Sequence, residues 1–251
     1  MEFESRLCSA GWDPLSASLF REMVESNPSG TAVFDADGTL WEGDCGEALF
    51  RNLHREGLIR KWPKLNDALD EYSAREQTDT TDAYGWIVQQ MAGSAVHDVE
   101  RVAQDLMNDF VAEEGFPPML ELARALEEAG WSTWLVSASA NVVVEAGARA
   151  AGLRPERVLA VELGVHEESY TEELIQLPNL EGKPEAILRH QLEPDFAAGN
   201  SVNDIPMLRM AKSLSLCINP CDALYAESLK HEWVCARMQR PALHLVHSVP
   251  E

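Results

Sequence analysis

The chain has 251 residues, of which 45% are hydrophobic and 25% charged, a balance typical of a globular protein with a sizeable core. Asp and Glu number 42 against 20 Lys and Arg, so the net charge is −22. This charge excludes a general affinity for nucleic acid or for an anionic membrane surface, because both are bound through basic patches. It leaves a small phosphorylated ligand open, since a bound cation can dominate the local field.

The sequence carries no pattern of secretion or membrane insertion. The N-terminal segment MEFESRLCSAGW is acidic and lacks an apolar core, and no apolar run approaches the roughly 18 residues of a membrane span. The cysteines lack zinc-site spacing and are expected to be free thiols in a reducing compartment. We therefore expect a cytoplasmic protein, either a monomer or a homodimer.

The first predicted elements are a helix and a short strand. Apolar residues recur at helical spacing over residues 14–26, and Asp13 is suited to cap the helix N-terminus. After the break NPSG, residues 31–34 form an apolar run that predicts a buried strand. Asp35 and Asp37 follow it directly, and their mutual repulsion and desolvation must be compensated by other groups.

Residues 44 to 115 have helical periodicity and contain no strand candidate. About seventy residues are too many for a loop between neighbouring strands, so we predict an inserted helical domain.

Strands and helices alternate after residue 116. The predicted strands are residues 131–139, 157–165, 195–201, 213–219 and 233–238, with part of a β-hairpin at 173–180. The predicted helices are residues 117–130, 140–152, 183–192, 203–211 and 222–232. This alternation predicts an α/β fold, a Rossmann-like doubly wound parallel sheet with an inserted helical cap. Ligands of such sheets bind beyond the carboxyl ends of the strands.

Four polar clusters lie at predicted strand ends: Asp35/Asp37/Thr39, Ser137/Ser139, Lys183, and Asn200/Ser201/Asn203/Asp204. An aspartate can act as a covalent nucleophile, and a second carboxylate as general acid and then general base. Oxygen ligands favour a hard cation such as Mg²⁺, while hydroxyl groups and a lysine can hold a phosphoryl group. Together the clusters predict phosphoryl transfer to an aspartate, followed by hydrolysis of the aspartyl-phosphate.

The order of these clusters resembles the haloacid dehalogenase superfamily, in the branch that includes phosphoserine phosphatase. VFDADGTL is similar to the first motif of that family, LVSAS to the second, EGKPEAI to the third and GNSVNDIPML to the fourth. The tail INPCDALYAESLKHEWVCAR resembles the usual ending of the branch. The resemblance covers nearly the whole chain and implies a core of residues 1–43 and 116–251, with a helical cap at 44–115.

The resemblance also implies the catalytic roles. Asp35 is expected to be the nucleophile, and Asp37 to protonate the leaving alcohol and then activate water. Ser137 is expected to bind the phosphoryl oxygens, and Lys183 to offset the charge of Asp35 and the phosphate. The expected activity is a Mg²⁺-dependent phosphomonoesterase that acts on a small phosphorylated metabolite.

The same resemblance implies a Mg²⁺ site. Its expected ligands are the Asp35 carboxylate, the Asp37 backbone carbonyl and the fourth motif through Asn200 and Asp204. Asn200 stands where the family has an acid, which removes one negative charge and predicts weaker metal affinity. Two alternatives stay open, namely a phosphotransferase or mutase on this scaffold and a non-catalytic binding protein.

Substrate binding is expected around the first motif and the cap. An acidic, aromatic strip that suits an organic cation is formed by Trp41, Glu42, Asp44 and Glu47. Tyr84 and Trp86 from the cap are expected to join this strip, and Thr39 and Ser139 to lie closer to the phosphate. The cap has Val88 where phosphoserine phosphatases carry an arginine, which argues against phosphoserine itself. These residues favour a leaving group with an amine or quaternary ammonium. Alternatively, Trp41 packs between cap and core, and Ser139 is a structural hydroxyl.

Overall fold

The computed structural model describes residues 3–239. These residues contain a seven-stranded sheet in the order β4-β3-β2-β1-β5-β6-β7. The strands are β1 (Thr31–Phe34), β2 (Ser132–Ala140), β3 (Val158–His166), β4 (Ser169–Gln176), β5 (Phe196–Gly199), β6 (Leu214–Ile218) and β7 (Val234–Ala236). The strands pair in parallel except β4, which is antiparallel to β3. The predicted α/β sheet is therefore confirmed, with an antiparallel strand at one edge.

The chain crosses the sheet in the doubly wound manner from β1 outwards. Helices of this part are α1 (Phe3–Ala10), α2 (Pro14–Ser26), α7 (Pro117–Glu128), α8 (Asn141–Ala150), α9 (Gly182–Arg189), α10 (Ile205–Leu208) and α11 (Asp222–His231). Asp13 caps α2 by accepting hydrogen bonds from the backbone N–H groups of Leu15 and Ser16, as predicted.

Two predicted elements differ from the structure. The hairpin strand β4 begins at Ser169, several residues before the predicted start, and its turn uses Glu167 and Glu168 with positive φ. The helix predicted at residues 203–211 is a 3-10 turn at Val202–Asp204 followed by the single turn of α10. The cause is a capping box in which Ser201 and Asp204 bind each other's backbone N–H groups.

A helical insertion separates β1 from β2. It consists of α3 (Cys45–Arg55), α4 (Leu65–Glu76), α5 (Thr80–Gln89) and α6 (Val96–Glu114). Within the described residues, one hydrophobic cluster joins it to the sheet, with Met107 and Val102 from α6 in the same cluster as Phe34 and Phe196. The insertion therefore shares its apolar core with the sheet domain. Its limits at residues 44 and 115 stay a prediction.

The two connectors of the insertion pair with each other. Glu42 N–H donates to the Glu114 carbonyl at 2.8 Å, and Phe116 N–H donates to the Leu40 carbonyl at 2.8 Å. Between these bonds, Trp41 forms an antiparallel bridge with Gly115. We call residues 40–42 and 114–116 the connector ribbon.

The β3–β4 hairpin gives the insertion a second attachment. Gly93 N–H donates to the Tyr170 carbonyl at 2.8 Å, and Tyr170 N–H donates to the Ser94 carbonyl at 3.0 Å. Val96 N–H donates to the Glu168 carbonyl at 2.9 Å. Between residues 3 and 239, none of the helices combines the length and low charge that a membrane crossing requires.

Candidate active site

Polar side chains from four segments meet at the carboxyl ends of β1, β2 and β5. They line a pocket of about 170 Å³ between the sheet and the helical insertion. Asp35 enters it directly after β1, where its backbone N–H donates to the Ala198 carbonyl of β5 at 2.9 Å. The predicted residues that line this pocket are Asp35, Asp37, Asp44, Ser137, Ser139, Lys183, Asn200 and Asp204.

The Asp35 carboxylate is held through both oxygens. Its Oδ1 accepts a hydrogen bond from Lys183 Nζ at 2.6 Å, and its Oδ2 accepts one from Thr39 Oγ1 at 2.9 Å. Asp35 is 7% exposed and Thr39 is fully buried. Thr39 therefore lies behind Asp35 and does not line the pocket. Its proposed role shifts from contacting the substrate to orienting the nucleophile.

Lys183, near the start of α9, lies between two carboxylates. Its Nζ donates to Asp35 Oδ1 at 2.6 Å, to Asp204 Oδ1 at 2.6 Å and to the Val136 carbonyl at 2.9 Å. All three ammonium protons thus have partners, which is what a buried charge requires. Burial lowers the pKa of Lys183, but Asp204 and Asp35 outweigh burial and raise that pKa above its ordinary value. The lysine is therefore a fixed positive charge.

The pKa of Asp35 is raised from 3.8 to about 7. Burial is the largest cause, and the neighbouring carboxylate of Asp204 adds to it, while Lys183 opposes both. One lysine cannot balance Asp35, Asp37 and Asp204 together. The site therefore has an excess of negative charge that a cation would offset.

The Asp37 carboxylate accepts hydrogen bonds from several donors. Trp41 Nε1 and the Cys45 backbone N–H donate to its Oδ1 at 2.7 and 2.8 Å. Ser139 Oγ donates to its Oδ2 at 2.6 Å, and Cys45 Sγ lies 3.5 Å from the same oxygen. This arrangement gives Asp37 one orientation facing the pocket.

The two serines lie inside β2, because the strand continues to Ala140 and does not end before them. Ser137 and Ser139 are two residues apart in the strand and so share one face, and both line the pocket. Ser137 Oγ accepts a hydrogen bond from the Ser139 backbone N–H at 3.1 Å. Its own proton stays available for a ligand, whereas the Ser139 hydroxyl donates to Asp37.

The loop after β5 positions Asn200 and Asp204 differently. Asp204 Oδ2 accepts hydrogen bonds from the backbone N–H groups of Asn200 and Ser201, both at 3.0 Å, while its Oδ1 binds Lys183. Both Asp204 oxygens are thus engaged with the protein. Asn200 lies against Gly38, where an added Cβ would be 2.0 Å from Asn200 Nδ2. Asn200 therefore reaches the turn that carries Asp37, and Asp204 holds the loop.

The donor set fits a hard divalent cation. The Asp35 carboxylate, the Asp37 backbone carbonyl and the Asn200 amide oxygen are all oxygen ligands of the kind that Mg²⁺ prefers. In residues 3–239, no three His, Cys, Asp or Glu side chains are grouped as a metal cluster. A site built from one carboxylate, one carbonyl and one amide would not form such a cluster.

A family model described as haloacid dehalogenase-like hydrolase matches residues 32–209. The chain belongs to this family. The matched residues include all four polar segments of the pocket.

The chain also resembles individual proteins. It is 25% identical over 240 residues to a Mycobacterium tuberculosis protein named as a probable phosphatase, and the aligned residues cover 88% of this chain and 82% of that protein. A Bordetella pertussis structure of unknown function has a TM-score of 0.73 at 20% identity, covering 82% of this chain and 97% of the other. A phosphoserine phosphatase with an analogue of its phospho-aspartyl intermediate has a TM-score of 0.53 at 17% identity, covering 84% and 94%. These structures share the fold.

The helical insertion of the hydrolase closes the pocket opposite Asp35. Its lining residues are Asp44, Glu47, Tyr72, Tyr84, Ile87 and Val88. Asp44 caps α3 by accepting a hydrogen bond from Glu47 N–H at 2.8 Å. Partial removal from water by the surrounding pocket, together with the nearby Asp37 carboxylate, raises the pKa of Asp44 above its ordinary value.

The aromatic residues are arranged differently from the sequence prediction. Trp41 is fully buried beneath Asp37 and does not line the pocket. Trp86 lies outside the pocket lining and packs against Trp62 and the Arg75 guanidinium. Tyr84 lines the pocket as expected, joined by Tyr72, which helical periodicity alone did not distinguish from a core residue.

Asn179 is a pocket residue that the sequence did not reveal. It is 3% exposed, and its Nδ2 donates to Thr80 Oγ1 at 3.0 Å and to Thr81 Oγ1 at 2.9 Å. Both threonines begin α5. The nearest sequence signal is the short PN turn between the hairpin and Lys183, and it carries no sign of the distant threonines.

Proposed function

We propose that the protein is a Mg²⁺-dependent phosphomonoesterase that forms an aspartyl-phosphate on Asp35. The observation that carries this proposal is the Asp35 carboxylate, held between Lys183 and Thr39 in a pocket that Asp37 also lines. A nucleophile, a positive charge and an acid–base group thus share one cavity.

In the first half-reaction, a carboxylate oxygen of Asp35 attacks phosphorus. The new bond between that oxygen and phosphorus forms as the bond to the leaving oxygen breaks, and the proton of the Asp37 carboxyl moves to the leaving oxygen. The products are the alcohol, the Asp35 phosphate anhydride and an Asp37 carboxylate.

In the second half-reaction, water replaces the alcohol. The Asp37 carboxylate takes a proton from water as the water oxygen bonds to phosphorus. The bond between phosphorus and Asp35 breaks, which releases inorganic phosphate and restores both aspartates to their starting protonation states.

The phosphoryl oxygens are bound by the free proton of Ser137. Lys183, whose three protons are engaged with the protein, offsets the charge of Asp35 and of the phosphate from beside Asp35. Asp35, Asn200 and the Asp37 backbone carbonyl would hold Mg²⁺, which supplies positive charge against the phosphoryl oxygens when bound. Asp204 acts on the opposite side of Lys183, where it fixes the ammonium and the Asn200–Ser201 backbone. The phosphatase name of the Mycobacterium tuberculosis relative and the phospho-aspartyl analogue in the structural relative support this assignment.

The leaving group is inferred to carry an amine or a quaternary ammonium. Asp44 and Glu47 place negative charge on the insertion side, and Tyr72 and Tyr84 add aromatic surface. In the part of the lining that the structure describes, Lys183 is the one basic side chain, and it is engaged with Asp35 and Asp204. A carboxylate on the leaving group would therefore lack a partner.

A phosphatase screen with Mg²⁺, Mn²⁺ and Co²⁺ tests the proposed reaction. Wild type is expected to release phosphate from p-nitrophenyl phosphate, and Asp35→Asn to lose activity by at least about a thousandfold, because no nucleophile remains. Full activity in Asp35→Asn would overturn the mechanism, and an inert wild type with all three metals would favour a non-catalytic binding protein.

A panel of alkyl phosphates tests the substrate class. Esters with a cationic leaving group, such as phosphoethanolamine and phosphocholine, are expected to have higher kcat/KM than neutral or anionic esters of similar size. Equal values across the three groups would remove the cationic assignment while leaving the phosphatase assignment intact.

A further inference from the structure

Trp41 links the connector ribbon to Asp37. Its side chain is fully buried, and its indole Nε1 donates to Asp37 Oδ1 at 2.7 Å. Its backbone bridges both Asp37 and Gly115, so the residue belongs to the segment where the chain enters the insertion. The indole N–H is thus a fixed donor placed under the carboxyl group.

The position of this ring is set by close packing. A Cβ added to Gly147 of α8 would lie 2.7 Å from Trp41 Cη2 and 2.9 Å from Met107 Cε. A glycine is therefore required at this point of α8 for the ring to reach Asp37. The ring is therefore packed directly against the α8 backbone at Gly147 and is fully buried.

The donors divide the two Asp37 oxygens into different chemical types. Oδ1 is bound by the indole N–H of Trp41 and the backbone N–H of Cys45, and both groups can only donate. Oδ2 is bound by the Ser139 hydroxyl at 2.6 Å and lies 3.5 Å from the Cys45 thiol, and both of these groups can donate or accept. A proton on Oδ1 would face two donors, whereas a proton on Oδ2 is compatible with its partners.

We propose that Trp41 is a positioning residue that fixes Asp37 so that Oδ2 is the oxygen that transfers the proton. The proposal rests on the acid–base role assigned to Asp37 above. The Oδ2 proton moves to the leaving oxygen as its bond to phosphorus breaks, and Oδ2 later takes a proton from water. Trp41 does not contact the substrate and acts through Asp37.

The test compares Trp41→Phe with Trp131→Phe on two aryl phosphates. Trp131 is also buried, at 2% exposure, but its indole N–H has no hydrogen-bond partner among residues 3–239, so it is a matched control. Phenyl phosphate releases a poor leaving group that needs the proton, whereas p-nitrophenyl phosphate releases a good one.

Trp41→Phe is expected to lower kcat about tenfold on phenyl phosphate and less than about threefold on p-nitrophenyl phosphate, because a misplaced acid matters most for the poor leaving group. KM should change little, and Trp131→Phe should change neither kcat. Adding Trp41→Phe to Asp37→Asn should cause no further loss. An equal loss on both substrates, or no loss, would overturn the proposal.

Two further variants separate the possible failures. Asp37→Asn should lower kcat more than Trp41→Phe does, again mainly on phenyl phosphate. If Asp37→Asn shows no such leaving-group dependence, the acid–base role of Asp37 is refuted rather than the role of Trp41. Gly147→Ala crowds the ring without removing any donor to Asp37. If Trp41→Phe does not fold, Gly147→Ala takes its place in the test and should lower kcat more on phenyl phosphate than on p-nitrophenyl phosphate. A leaving-group dependence equal to that of wild type in Gly147→Ala would then refute the role of Trp41.

Discussion

At the scale of single residues, the site is organised around an imbalance of charge. Lys183 is the one cation of the described pocket lining, and it is surrounded by Asp35 and Asp204. Asn200 replaces the acid that the family carries at its position, so the chain already has one negative charge fewer than its resemblance implies. We therefore expect half-maximal activity to require a higher Mg²⁺ concentration than it would with an acid at position 200.

Asn200→Asp is expected to lower the Mg²⁺ concentration for half-maximal activity roughly tenfold, because ligand charge sets the affinity of such sites. The measurement is a Mg²⁺ titration of phosphatase activity in both proteins. Asn203→Asp is the matched control, since it adds the same charge in the same loop at a residue that is not assigned to the metal. An unchanged Mg²⁺ requirement in Asn200→Asp would show that Asn200 is not a ligand.

At the scale of elements, attachments outside the motifs hold the insertion and the catalytic loops. Asn179 joins the segment before α9 to the start of α5, next to the pocket. Arg209, directly after α10, pairs with Glu227 of α11 and so anchors the segment that follows the Asn200–Asp204 loop. These contacts join segments that are far apart in the sequence.

Asn179→Leu is expected to lower the free energy of unfolding by about 1 to 2 kcal/mol, since it removes two partly buried hydrogen bonds to threonine hydroxyls. Hydrogen exchange of the α5 backbone amides should accelerate. Gln89→Ala is the control, because its bond to the Glu172 carbonyl joins the same two parts at an exposed position. Similar small effects in both variants would show that Asn179 does not secure the insertion.

Glu227 gives a prediction of pH dependence. Hydrogen bonds from Lys230 and Arg209 lower the pKa of Glu227 from 4.5 to about 2. Because the folded pKa lies below the unfolded one, the stabilisation is present above pH 4.5 and is lost as pH falls towards 2.

Thermal unfolding of wild type and Glu227→Gln measures this stabilisation. The variant should have a lower Tm at pH 7, and the difference should shrink as the pH is lowered through 4 and 3. High salt should reduce the difference at pH 7, since the ion pairs lie at the surface. A difference in Tm that stays constant between pH 7 and 3 would contradict the lowered pKa.

The sequence predicted strand ends better than it predicted side-chain directions. Asp35 and Asp37 were placed because an apolar strand followed by acids is a local pattern. The burial of Trp41 depends on Gly147 and Gly115, which are far away in the chain, so composition near the first motif suggested a ligand contact instead. Asn179 was missed for the same reason, because its partners begin a different helix.

At the scale of the whole molecule, the net charge of −22 opposes the approach of an anionic substrate. The acids around the pocket act in the same direction as the overall field. This repulsion is long-range and is therefore reduced by salt, unlike the short contacts inside the pocket.

Raising NaCl from about 20 to 200 mM at saturating Mg²⁺ is expected to increase kcat/KM for p-nitrophenyl phosphate about twofold or more, as screening weakens the repulsion. Phosphocholine, whose ammonium offsets part of its phosphate charge, should respond less. A decrease of kcat/KM with salt for p-nitrophenyl phosphate would mean that attraction at the pocket dominates.

The connector ribbon has a consequence for how such a chain can change over evolutionary time. The insertion leaves and re-enters the sheet domain at points joined by the bond between Glu42 and Glu114. Because its two ends are adjacent, a segment of different length can be exchanged there without moving β1 or β2 and at little cost in loop-closure entropy. A replacement that keeps Trp41 retains one of the donors to Asp37. The insertion residues that line the pocket can thus be exchanged as one segment while Asp37 keeps this support.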